Sequence, residues 1–94
     1  MAKAQKKPVI IDYFEVAAST RPIDIDRWVS SFGDTFVDFF EIIPVPGGLG
    51  IRVKTLEGTS YTATSENVII RGVKGEYYPC KRDIFLQTYD ILDV

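Results

Sequence analysis

Ninety-four residues, 46% of them hydrophobic and 13% aromatic, describe one soluble domain whose core must be built from large rings, since so short a chain buries little surface otherwise. A formal charge of −2 excludes the basic excess of a general nucleic-acid binder. One cysteine and no histidine exclude an internal disulfide and leave no basis for a Cys/His zinc site, and no apolar run approaches the ~20 residues of a membrane span.

Residues 1–7 carry three lysines and no apolar core of the signal-peptide kind. They read as a flexible leader to a single domain over 8–94, and the chain as cytoplasmic. Val9 to Val16 is β-branched and aromatic, with Pro8 at its entrance, and predicts a strand covered in part on both faces. Ala17 to Pro22 is a connector. Asp24 then caps a helix in which Ile25, Trp28, Val29 and Phe32 recur at helical spacing, with Gly33 at its C′ position. Asp26, Arg27, Ser30 and Ser31 form its polar side.

Thr35 to Val45 predicts a further strand, closed by Pro46-Gly47-Gly48. A hairpin follows, Gly50 to Leu56 and Thr59 to Thr64 about the two-residue turn Glu57-Gly58. That register sets Arg52 against Ala63, Val53 against Thr62 and Lys54 against Tyr61. Val68-Ile69-Ile70 reads as a central strand, turned by Lys74-Gly75 into Glu76 to Pro79. Asp83 caps a short closing helix with Phe85 and Tyr89 on one face, and Ile91, Leu92 and Val94 suggest a last strand. The class is α+β: a small curved, mainly antiparallel sheet or open barrel, with one main helix and a short C-terminal one.

The candidate site lies in the run VIIRGVKGEYYPCKRDIF, Val68 to Phe85. The Lys74-Gly75 turn pairs Gly72 with Tyr77 and Arg71 with Tyr78. Tyr77 there either covers a strand glycine or, with Tyr78 and Arg71, forms a flat floor for a base. Lys81 and Arg82, before a helix start, suit an anion, although they equally suit a solvated basic face. The ligand-binding set is therefore Arg71, Lys74, Tyr77, Tyr78, Lys81 and Arg82. Cys80 has cations near it but no imidazole to act as base, so packing is its expected role. No metal-binding loop and no phosphate-binding glycine motif is present, so no catalytic residue, metal or cofactor is assigned. Asp24, Asp26, Asp34 and Asp38 read as caps and polar helix face.

Three stretches carry a family resemblance: KPVIID at the first strand, KTLEG over Lys54 to Gly58, and IIRGVKGEYYPCK-x-DIF-x-x-TY over Ile69 to Tyr89. In these the chain resembles a family of small phage and prophage proteins named for a Pro-Gly-Asp-Tyr-Gly motif. The naming motif is not intact: Thr64-Ser65-Glu66-Asn67-Val68 stands in its place, and Arg82 replaces a frequent proline. The resemblance implies phage origin, hence the cytoplasm of a host bacterium, and no known chemistry. Without catalytic groups, a binding role is expected. The basic and aromatic cluster favours a homo-oligomeric counter-defence sponge for a nucleotide-type immune signal. The isoelectric point near 5.0 favours the alternative, a protein-binding inhibitor or modulator of a host enzyme. No membrane partner and no specific DNA or RNA binding is expected.

Overall fold

Two three-stranded antiparallel sheets, not one curved sheet or a barrel, organise the computed structural model, which describes residues 2–5, 7–46, 48–55, 58 and 60–92. In chain order the elements are β1 (Asp12–Glu15), α1 (Pro22–Ser30), α2 (Phe36–Phe39), β2 (Phe40–Val45), β3 (Gly48–Lys54), β4 (Ser60–Ala63), β5 (Asn67–Arg71), β6 (Tyr77–Lys81) and α3 (Arg82–Thr88). One sheet has the order β1-β5-β6 and the other β2-β3-β4. The α+β class holds.

The division follows from β5. Val68, Ile69 and Ile70 are consecutive and all buried, so this strand needs cover on both faces. Ile69 joins the main core with Ile25, Val29, Phe40, Val53, Ala63 and Tyr77. Val68 and Ile70 face the other way, under Phe85 of α3. Each such side chain, fully buried, contributes about 1.5–3 kcal/mol. β1 obeys the same alternation: Phe14 packs on Trp28, and Tyr13 on Phe85. The strand expected over Val9 to Val16 is thus shorter: it is packed on both faces at Tyr13 and Phe14, while Val9 and Ile10 lie outside it and are exposed. Residues 91 and 92 form no strand, and Val94 lies outside the described residues.

α1 starts two residues before the expected cap. Pro22 opens it, where a missing N–H costs nothing, and Asp24 in its first turn accepts the Arg21 backbone N–H at 2.9 Å. That bond, with the Arg21 side chain, holds the Asp24 carboxyl below its ordinary range. At the other end Gly33, at φ +84°, lets the chain reverse. Its N–H donates to the Ser30 carbonyl and that of Asp34 to the Val29 carbonyl, at 3.0 and 3.1 Å, the paired bonds of a Schellman turn.

The strand expected over Thr35 to Val45 begins instead with the one-turn helix α2. Helical spacing stacks Phe36 on Phe40 and turns Phe39 and Phe40 onto Tyr77. A strand would put Phe39 and Phe40 on opposite faces.

Both hairpin registers differ by one residue from the two-residue turns expected. β3 pairs with β4 as Ile51 with Ala63, Arg52 with Thr62, Val53 with Tyr61 and Lys54 with Ser60. β5 pairs with β6 as Arg71 with Tyr77 and Ile70 with Tyr78. The cause is common to both. Gly58 (φ +80°) and Gly75 (φ +79°) donate their N–H to Thr55 and Gly72 at 3.1 and 3.0 Å. In the second hairpin the left-handed glycine is therefore the third loop residue, after Val73 and Lys74, as in a type I turn closed by a glycine bulge. Glu57 lies outside the described residues. The observed registers put Ile51, Val53 and Ala63 together in the core; a one-residue slip would turn Ala63 out.

Trp28 touches Phe14, Phe32 and Tyr77, so Trp28→Ala should lower unfolding free energy by about 3 kcal/mol. Urea denaturation checks this, and an unchanged midpoint would detach α1 from the core.

Candidate functional site

The register of β5 on β6 decides what the basic and aromatic run can do. Cross-strand partners share a face, so Arg71 and Tyr77 point into the main core side while Ile70 and Tyr78 point to the α3 side. The two adjacent tyrosines therefore cannot form one floor. Tyr77 is fully buried; Trp28, Phe39 and Phe40 approach its ring within 4.9–5.6 Å. Its hydroxyl donates to Asp34 Oδ2 at 2.6 Å. The Schellman turn after α1 aims Asp34 there, a role the sequence reading assigned to a cap or polar face.

Arg71 joins the same cluster. Its guanidinium lies 4.4 Å from the centre of the Phe32 ring, and its Nε is 3.7 Å from Asp34 Oδ2. Burial, and then the hydrogen bond to the carboxylate, push the Tyr77 phenol up to about 12. Burial also raises Tyr78, with a contribution from its hydrogen bond to Tyr89.

Gly72 is opposite Glu76, whose backbone carbonyl accepts its N–H at 2.8 Å. The Glu76 carboxylate, not a tyrosine ring, occupies the space a side chain at Gly72 would fill.

Arg82 is also engaged. Its Nη2 donates to the Val16 carbonyl at 2.8 Å, and its Nε lies 2.9 Å from Glu15 Oε1. Lys81 is exposed at the end of β6. Around them Glu66 and Asp83 line the same depression with Leu86, so cations and carboxylates alternate. The start of α3 already holds an anion: the Ile84 N–H donates to Asp83 Oδ1 at 2.9 Å.

What the fold brings together instead is an open groove between β4 and the β5–β6 hairpin. Tyr61, Val73, Lys74, Glu76 and Tyr78 line it, with Thr55 and an edge of Tyr77. Tyr61 is 50% and Val73 69% exposed. Of the six expected ligand residues, Lys74, Tyr77 and Tyr78 meet here; Arg71, Lys81 and Arg82 do not line it. Tyr61 and Glu76 were missed. The signal for Tyr61 was the turn length, because one residue more in the loop carries it to the face of Val53.

Burial pushes the Cys80 thiol up, and Asp83 adds to this, against the thiolate-stabilising effect its cationic neighbours suggested. Among the described residues no group of three or more His, Cys, Asp or Glu side chains is placed to hold a metal, and no helix is long and apolar enough to cross a membrane. No protein-family model matches the chain, and it has no match among curated proteins or solved structures.

Because the folded state holds the Tyr77 proton more tightly than the unfolded chain does, its contribution is complete below pH ~10. That contribution should fall away as pH rises through about 12. Tyr77→Phe should cost about 1.5–3 kcal/mol at neutral pH, by removing a hydrogen bond to a charged acceptor, and should flatten the alkaline decline. Chemical denaturation between pH 7 and 12 checks both. For Cys80→Ser, an unchanged binding function is expected, with at most a modest stability loss by the same assay.

Proposed function

We propose that this protein is a non-enzymatic binding protein that covers part of a partner protein's surface, and so modulates a host enzyme. The phage setting rests on the family resemblance alone. The observation that carries the reading is the groove beside the β5–β6 hairpin: wide, shallow, and lined by the exposed Tyr61 and Val73 together with Lys74 and Glu76. Exposed aromatics set among a few charges are typical of the centres of protein interfaces.

Sequestration of a nucleotide draws less support from the same geometry. It needs a free aromatic face and unpaired cations for phosphate. Tyr77 is buried, Arg71 lies over Phe32 beside Asp34, and Arg82 is held by Val16 and Glu15. Lys74 shares the groove lining with the acidic Glu76.

The test sets two assays side by side. The immobilised chain should retain a bacterial protein in stoichiometric amount, and Tyr61→Ala with Val73→Asp should lose it by tenfold or more while melting normally. Calorimetry with cyclic dinucleotides, cyclic trinucleotides and ADP-ribose derivatives should give no heat. Nucleotide heat lost in Tyr78→Ala, with no protein retained, would reverse the assignment.

A further inference from the structure

The edges of the first sheet are not alike. In β6, Gly72–Glu76 bonding fixes the alternation so that Tyr78 and Cys80 bond inward and Pro79 turns its missing N–H outward. A proline there prevents another strand from pairing. β2, an edge of the second sheet, carries Pro44. β1 has no proline, and no strand pairs with its outer side among the described residues.

The bonding state of that outer side is fixed. The Val16 N–H donates to the Asn67 carbonyl at 3.2 Å, so Phe14 and Asp12 also bond toward β5. The N–H and carbonyl of Tyr13 and Glu15 therefore point away from the sheet. Beside this open edge lies a concentration of apolar surface. Val9, Ile10 and Tyr13 are 44%, 81% and 37% exposed, and Ile91 and Leu92, across a shared groove, 48% and 57%. Among the described residues, five of the eleven exposed large apolar side chains lie here. Five side chains about half exposed leave several hundred Å² of apolar area, a substantial part of the ~800 Å² per partner in a standard interface.

We propose that a second copy of this chain occupies this edge, β1 pairing antiparallel with its counterpart about a two-fold axis at Tyr13. Charge selects the register. Centred on Asp12, the pairing would face Asp12 with itself, and like charges directly opposite are destabilising. Centred on Phe14, it would leave Val9 to Ile11 largely beyond the overlap. Centred on Tyr13, it sets Asp12 against Phe14, Glu15 against Ile11 and Ile10 against Val16, with no like charges opposed. The outward groups of Tyr13 then bond to each other across the axis, and two three-stranded sheets become one of six strands. This surface is separate from the groove beside the β5–β6 hairpin, so either can fail without the other.

Light scattering of the full chain at tens of micromolar should give the mass of a dimer. Ile10→Asp, at a side chain outside the core, should weaken dimerisation at least tenfold with an unchanged melting temperature. Tyr13→Pro removes an outward N–H from the ladder, along with the ring that packs on Phe85, and should act in the same direction. In a Cys80→Ser background, Tyr13→Cys should oxidise to a covalent dimer, because directly bonded antiparallel partners lie about 5.5 Å apart at Cα, within disulfide reach. A monomer mass for the unaltered chain would overturn the proposal. So would a dimer indifferent to both edge substitutions, or one that forms no Tyr13→Cys cross-link.

Discussion

Much of this structure depends on one buried hydroxyl. Tyr77 brings its ring into the space between α1, α2 and the second sheet, and its O–H donates to Asp34 at the end of the turn that closes α1. Arg71, on the neighbouring strand, stands by the same carboxylate and over Phe32. A helix end, an aromatic turn and two strands are thereby fixed to one another. The buried Tyr77 hydroxyl is satisfied by the Asp34 carboxylate, which like Arg71 keeps about a quarter of its side chain exposed to water, and a hydroxyl left there without an acceptor would be costly.

The same arrangement supports the proposed protein partner over a nucleotide. Arg71 and Arg82 are committed to holding elements together, one at α1 and the other at the end of β1. The surface that remains open is apolar with scattered charge, and it is broad. Such a surface recognises shape over an area and not one compact group of atoms.

The sequence made some of this legible. Ile25, Trp28, Val29 and Phe32 marked the inner face of α1, Gly33 its end, and Val68 to Ile70 a strand with no wet side. The failures have one physical root. A glycine in a hairpin can be the second residue of a two-residue turn or the third of a longer one, and local sequence does not choose between them. The choice is made by core packing, here by Ala63, Ile69 and Tyr77. Its consequence is large because one residue of slip exchanges the faces of a strand: it took Arg71 from Tyr78 to Tyr77 and Gly72 from Tyr77 to Glu76, while simple alternation already sets Tyr77 and Tyr78 on opposite faces. α2 was hidden for a related reason: a run of phenylalanines suits a strand until the ring it must meet is known. Asp34 was hidden because its partners lie far along the chain.

The two faces of β5 are not equally guarded. One is closed by a helix and a second sheet; the other is closed by the seven residues of α3, held through Phe85 and Tyr89. A helix so short has almost no stability of its own, so its departure is a local event that leaves the ladders of β1, β5 and β6 in place. Amide exchange along α3 therefore reports its lifting, while slow exchange along β5 reports the unfolding of the whole, and the two clocks run at different speeds.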